Sequence, residues 1–349
     1  MRDIFDLRSD TAIQPAPAMI ERLHGLHFAD DLLGEDATTN KLLAEVSDQF
    51  GMESALITPS GTMSNQISAA VISRPGTEVI VGDASHIYNL EAGGLAANSG
   101  VQARTVRAEA GEYALEEIEA ALRSTALQVS PTNGIFLEST YDLNAGHVTS
   151  LKNLAAIRDL ANRHSAFVYM DGARVFNAAV VLDVPLQEIT RHVDAVQICL
   201  NKGLGGPLGS VLAGSKEFVD EARLVRQRLG GGIRHTGFIA APGLLAFEDW
   251  RARMAQDHSH AKLLEEALSP LPKVQVVNGP VETNIVTVEV QGADSQIADM
   301  DAMLVQSGVH VKFVSRGRFR AVAHSTLSRA DIEYCAAKIV EAITATTDC

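Results

Sequence analysis

Apolar and polar positions follow two different rhythms along this chain. Between about residues 50 and 250, short apolar runs alternate with stretches of helical spacing. The runs at 55–58, 78–82, 134–138, 166–170, 194–199 and 210–213 predict strands. Helices are expected to start near Thr62, Ala114, Leu151 and Ser215. In the third of these, Leu154, Ile157 and Ala161 share one face. Strands that are apolar throughout and alternate with helices point to a mostly parallel sheet covered on both sides. The rhythm changes near residue 250. A long helical stretch at 237–268 is followed by Pro270 and Pro272. Strands at 284–290, 309–314 and 319–323 then mix with helices at 294–306 and from Arg329. The expected organisation is an α/β domain over 1–250, including an N-terminal arm, and a smaller α+β domain over 251–349. The first forty residues show little periodicity and are expected to wrap over the rest of the molecule or over a partner subunit.

Composition narrows the function. A chain of 349 residues with 46% hydrophobic content has ample material for a large core. Its net charge of −14 repels a phosphate backbone, and no basic run overrides that field, so nucleic acid is not an expected partner. The three cysteines, Cys199, Cys335 and Cys349, are widely spaced and form no CxxC pair. Neither a disulfide framework nor a zinc site follows from them, and a reducing compartment is expected. No apolar segment follows a basic start and no stretch is apolar enough to span a bilayer, so the expected location is cytoplasmic.

Four segments carry chemistry, each just after an expected strand. Ser60-Gly61-Thr62 opens a helix, where backbone N–H groups, a hydroxyl and the helix dipole suit a phosphate. Asp83-Ala84-Ser85-His86 places a histidine ring that can lie on a flat cofactor. Asp171-Gly172-Ala173-Arg174 ends a strand with a carboxylate, which is either a helix cap or the partner of a buried cation. Lys202 precedes the glycine-rich turn Gly203-Leu204-Gly205-Gly206. That turn fits neither a dinucleotide fingerprint nor a P-loop. A lysine there suits Schiff-base chemistry. Phosphate cradle, stacking ring, acid and lysine are together the partners that pyridoxal 5′-phosphate (PLP) needs.

The order of these segments resembles the L-threonine aldolases, PLP-dependent enzymes of the aspartate-aminotransferase-like fold type I. The likeness extends through Leu7-Arg8-Ser9-Asp10-Thr11, Gly34-Glu35-Asp36 with Asn40, and Ser60-Gly61-Thr62-Met63 with Asn65-Gln66. It continues through Ser85-His86-Ile87 with Glu91, Asp171 to Arg174 with Asn177-Ala178, and Cys199-Leu200-x-Lys202-Gly203. Gly230-Gly231-Gly232-x-Arg234 and Arg320-x-Val322-x-His324 complete it. The resemblance implies a seven-stranded, mostly parallel sheet in the large domain and a homo-oligomer, a dimer of dimers. It implies that Lys202 carries PLP as a Schiff base, Asp171 pairs with the pyridine nitrogen, His86 stacks on the ring, and Gly61 and Thr62 hold the phosphate. Arg174, Ser9 and Arg320 are the implied carboxylate partners, with Arg174 also in reach of the cofactor's phenolic oxygen. Arg318 is a rival to Arg320 on the same strand face. His86 is also a candidate base. No ligand cluster predicts a metal.

The implied reaction is retro-aldol cleavage of L-threonine, L-allo-threonine or a related β-hydroxy-α-amino acid to glycine and an aldehyde. The sequence departs from the family at Leu33, at Ala37 and across Glu138-Ser139-Thr140-Tyr141-Asp142-Leu143-Asn144-Ala145-Gly146. If Leu33 and Tyr141 line the pocket, it is more apolar, and a phenylserine-type substrate becomes an alternative. A racemase or β-eliminating lyase on the same scaffold is the other alternative, with Tyr141 the one departure able to supply a second acid/base.

Overall fold

The computed structural model describes residues 4–143 and 145–347. Asn144 and Cys349 lie outside them. Two compact units emerge. The larger comprises Pro15–Asn144 and Val148–Trp250. The smaller takes the residues up to Gln14, Ala145–His147 and everything from Arg251 onward.

The larger unit is built on a seven-stranded sheet. Its strands are β1 (Ser54–Thr58), β2 (Glu78–Gly82), β3 (Gln102–Val106), β4 (Thr132–Glu138), β5 (Phe167–Asp171), β6 (Ala195–Cys199) and β7 (Ser210–Gly214), in the order β1-β7-β6-β5-β4-β2-β3. Neighbours run parallel except β7, which is antiparallel to both β1 and β6. Six strands coincide with the apolar runs. The seventh, β3, escaped the pattern because it is an edge strand whose residues are mostly exposed or half-buried. One core of this unit gathers Leu56, Val79, Val81, Phe136, Tyr169 and Leu212 from the sheet against Ile67, Val219 and Ala222 from covering helices.

A helix that the periodicity did not indicate, α1 (Ala37–Phe50), starts inside the stretch read as irregular. Asp36 caps it, its Oδ1 accepting from Thr39 N at 2.8 Å, and Leu42, Val46 and Phe50 form its buried stripe. The other helices that matter here are α2 (Gly61–Ile72), α3 (His86–Asn89), α4 (Leu151–His164), α5 (Lys216–Arg228) and α6 (Gly237–Ala246).

The N-terminal segment of this unit is tied in by a buried ion pair. Arg226 on α5 is 1% exposed and donates from Nη2 to Asp31 Oδ2 at 2.9 Å and from Nη1 to Ile57 O at 2.8 Å. Removing one partner strands the other charge in a dry site. Arg226→Ala is therefore expected to cost about 3–5 kcal/mol, read as a lower urea midpoint.

In the smaller unit, β8 (Val274–Val276), β9 (Ile285–Val290), β10 (Lys312–Ser315) and β11 (Arg318–Val322) form an antiparallel sheet in the order β8-β9-β11-β10. Helices α7 (Trp250–Leu268), α8 (Asp294–Gln306) and α9 (Arg329–Thr347) accompany it. The run read as one strand at 309–314 is divided. Val309–His310 pairs in parallel with Phe5–Asp6, while β10 pairs with β11. The long helical stretch is also divided, into α6 and α7, and Asp249 between them has a left-handed φ of 50°. Among the described residues no helix is long and apolar enough to cross a membrane. Cys199 and Cys335 are buried free thiols.

Candidate active site

The carboxyl ends of the parallel strands converge on a cavity of about 170 Å³. Gly61, Thr62, His86, Asp171, Arg174 and Lys202 all line it. Strand polarity explains the convergence, because parallel strands deliver their following loops to one edge.

After β1, Ser60 caps α2, its Oγ accepting from Met63 N at 3.2 Å. The first N–H groups of α2 have no acceptor within the helix. At Gly61 an added Cβ would lie 2.9 Å from Cys199 Sγ and 3.2 Å from the Gln197 amide. Only glycine lets the backbone come this close to the cavity wall.

After β2, His86 opens α3 and donates its backbone N–H to Glu138 Oε2 at 2.6 Å. Its Nδ1 bonds Glu91 Oε1 at 2.9 Å. Glu91 is buried and also accepts from Asn65 Nδ2 at 2.7 Å and Gln66 Nε2 at 2.6 Å. The Glu91 hydrogen bond raises the His86 pKa; burial opposes it, and the charges of Asp171 and Glu91 add to it.

Asp171 is the last residue of β5, not a helix cap. Its Oδ2 accepts from Asn65 Nδ2 at 2.8 Å, and its Oδ1 from Ala173 N at 3.1 Å and from Gln197 Nε2. Asn65 cannot turn away: its Nδ2 serves Glu91 and Asp171, and its Oδ1 accepts from Tyr169 Oη at 2.8 Å. The carboxylate is thus held in one orientation by three donors. His86, Glu91 and Asp171 bring one ligand-type atom each within 4.8 Å of one another. Those atoms are already engaged in this hydrogen-bond network.

Lys202 follows β6 by three residues. The turn after it is closed by Gly205 N to Lys202 O at 2.7 Å, with Gly205 at φ 74°. Arg174 is 2% exposed, and its Nη1 lies 3.4 Å from Asp142 Oδ1.

Ser9 and Arg320 belong to the smaller unit. Ser9 caps a turn there, accepting from Thr11 N at 3.2 Å. Arg320 on β11 is 6% exposed, whereas Arg318 is half-buried.

The expectation of a more apolar pocket is corrected. Leu33 is 68% exposed, and Tyr141 is fully buried with its hydroxyl accepting from Ala84 N at 3.1 Å. Neither lines the cavity; the same segment contributes Glu138 and Asp142 instead. Tyr141 stacks on Tyr113 and is not placed to be a second acid/base. The sequence reading assigned no role to Gln197, Glu138 or Asp142. A polar Gln197 inside the apolar run of β6 was the one visible signal. Its register opposite Asp171 needed the paired strands.

A model of the beta-eliminating lyase family matches residues 6–293. Low-specificity L-threonine aldolase 1 of Arabidopsis thaliana is 38% identical over 339 residues, covering 96% of this chain and 94% of that protein. Low specificity L-threonine aldolase of Escherichia coli (strain K12) is 35% identical over 266 residues, covering 76% and 79%. Among solved structures, a putative L-allo-threonine aldolase from Listeria monocytogenes EGD-E has a TM-score of 0.82 at 20% identity, covering 98% of this chain and 96% of its own. The threonine aldolase of Leishmania major has a TM-score of 0.83 at 18% identity, covering 97% and 99%. The two structural likenesses establish the shared fold, that of the PLP-dependent fold type I enzymes. With that fold, with a cavity walled by lysine, carboxylate, histidine and a glycine-opened helix, and with these sequence relatives, the chain belongs to the L-threonine aldolases of the beta-eliminating lyase family.

Proposed function

We propose that this chain is a PLP-dependent lyase that cleaves L-threonine, L-allo-threonine or a related β-hydroxy-α-amino acid to glycine and an aldehyde. The observation that carries the reading is the convergence of Lys202, Asp171, His86 and the α2 N-terminus on one cavity. The donor set fits the cofactor. The α2 N-terminus with Gly61 and Thr62 takes the phosphate, and the missing Cβ at residue 61 lets the helix start lie against Cys199 and Gln197 at the cavity wall. Asp171, fixed by its three donors, faces the pyridine nitrogen, and His86 covers the ring. Lys202 supplies the amine that holds the cofactor covalently.

Bound there, PLP supplies the sink for the electron pair left when the Cα–Cβ bond breaks. The protein's part is positioning. Arg174 is buried at the cavity wall, and a guanidinium grips a carboxylate or a phenolic oxygen in a defined plane. Fixing the substrate's carboxylate selects which bond at Cα is aligned for cleavage.

The working form is a homo-oligomer. Phe238 is 49% exposed although stacked on Phe28 at 4.2 Å, and Ile233 and Leu33 are exposed beside the same segments. Such a patch supports a protein contact. The buried free thiols Cys199 and Cys335 support a reducing, cytoplasmic setting.

The test is acetaldehyde release from L-threonine by PLP-loaded protein, followed through alcohol dehydrogenase. Release is the expected result. Its absence for threonine, allo-threonine and phenylserine alike, with racemised substrate or an α-keto acid found instead, would move the chain to another reaction on this scaffold.

A further inference from the structure

The cavity is crowded with titratable groups: three carboxyls share it with His86, Arg174 and Lys202. Asp171, Glu138 and Asp142 line it, and Glu91 stands directly behind His86; all four are at most 8% exposed. Three of these carboxyls have evident partners for a negative charge. Asp171 accepts three hydrogen bonds, from Asn65, Ala173 and Gln197. Glu91 accepts from Asn65, Gln66 and His86. Asp142 faces the Arg174 guanidinium.

Glu138 differs. It sits at the end of β4 between Asp171 and Asp142, and among the described residues the donors to its oxygens are two backbone N–H groups. Oε2 accepts from His86 N at 2.6 Å and Oε1 from Asp142 N at 2.8 Å. Among the described residues no side-chain cation bonds either oxygen. Its own N–H donates to Tyr113 Oη at 2.8 Å, so the carboxyl is anchored at its backbone too. The charged and titratable groups around it are Asp171 from β5, Asp142 and Tyr141 from its own loop, Tyr113 from the neighbouring hairpin and His86 from α3, and Lys202 after β6 lines the same cavity. Arg174 is engaged with Asp142.

We propose that Glu138 is the proton-exchanging group of this cavity, holding a proton at rest and passing it to and from the substrate's β-oxygen. Among the described residues each oxygen accepts one hydrogen bond, which leaves room for a proton on a carboxyl that lines the cavity. In cleavage, ionised Glu138 takes the β-hydroxyl proton. The O–H electron pair becomes the second bond of the aldehyde C=O, and the Cα–Cβ pair stays on Cα. In the reverse direction, neutral Glu138 protonates the oxygen that forms. His86 is less suited to act as base, because its bond to Glu91 favours the cationic ring. Burial, and then the charges of Asp171 and Asp142, push the Glu138 carboxyl up to about 8. The exchange step rests on the aldolase reading; the resting protonation does not.

Two arms test this separately. The first uses cofactor-free protein and no substrate. A carboxyl that ionises near pH 4.5 when unfolded and near 8 when folded leaves the native state holding the extra proton between those values. Native stability then falls as pH rises through that window, and the loss is complete above it. Wild type is expected to lose unfolding midpoint relative to Glu138→Gln across this range. Parallel curves would overturn the proposal. Should Glu138→Gln not fold, ¹³C NMR of wild type labelled at glutamate carboxyls is expected to show one signal titrating near pH 8, and its absence overturns the proposal equally.

The second arm uses the loaded enzyme. Cleavage should rise with pH to a plateau beyond about 8, and addition of aldehyde to glycine should fall over the same range. Glu138→Gln should lose about 10²–10⁴-fold in both directions. Wild-type rates in this variant would sink the exchange step. Failure of the wild-type enzyme to release any aldehyde would count against the aldolase reading, while the first arm still decides the resting proton.

Discussion

Lys202→Ala is expected to abolish cleavage, with kcat/KM falling at least about 10⁴-fold, the scale of losing a covalent nucleophile. Among the residues lining the cavity, Lys202 is the one lysine. Alanine removes the amine and leaves the turn intact, because that turn depends on backbone bonds and on Gly205. The variant should therefore fold, and circular dichroism can verify it. Covalent attachment supplies the independent readout. After borohydride treatment of loaded wild type, peptide mapping should find the cofactor mass on the peptide containing Lys202. In the alanine variant that adduct should vanish. An adduct on another lysine, or cleavage near the wild-type rate, would remove Lys202 from the centre of the site.

The second large effect is expected at Asp171. Asp171→Asn should lower kcat/KM by about 10²–10³-fold, as when a preorganised charge is taken from a dry site. The side chain keeps its size, so the change is electrostatic and directional. Three N–H groups point at the native carboxylate, from Asn65, Ala173 and Gln197. An amide presents one acceptor and one donor, so its NH2 must face at least one of those donors. Ala173 N is backbone, and Asn65 is locked by Glu91 and Tyr169, so the cluster has little freedom to rearrange. Cofactor affinity and kcat should fall together. If kcat is unchanged and only the KM for substrate rises, Asp171 contacts substrate and the pyridine pairing is wrong. Pairing Asp171→Asn with Gln197→Glu tests the geometry, since the swapped amide and carboxylate restore one donor–acceptor contact. The double variant should recover part of the loss.

Residues that follow strands were legible because period and polarity locate strand ends without coordinates. Lys202, Asp171, His86, Gly61, Thr62 and Arg174 were each found that way and all reach one cavity. Their partners Glu91 and Asn65 stood in the motifs that carry the family resemblance, but with no role attached. Glu91 holds His86 from five residues away, and Asn65 reaches Asp171 across 106 positions of sequence. Nothing in the local pattern distinguishes such a carboxyl or amide from a solvated one. Tyr141 was misread for a related reason. Glu138, three residues before it, and Asp142, directly after it, line the cavity, while its own ring stacks on Tyr113. A single residue of loop rotation decides which side chain meets the substrate, and hydrophobicity does not encode it.

The sequence by itself determined the alternation of strand and helix, and with it a mostly parallel sheet whose active edge lies at the strand ends. That much follows from periodicity, because a buried strand must be apolar on both faces and a covering helix on one. It also determined the order of phosphate cradle, ring, acid and lysine. Only the tertiary structure decided the edge strand β3, whose half-exposed residues carry no apolar signal. Only it decided the grouping of the residues up to Gln14 with those beyond Arg251, since pairing of Phe5–Asp6 with Val309–His310 spans most of the chain. And only it showed which of the four crowded carboxyls accepts, among the described residues, from backbone N–H groups alone. Protonation depends on the whole set of donors, cations and acids around a group, and those come together only when distant strands and loops are folded against one another.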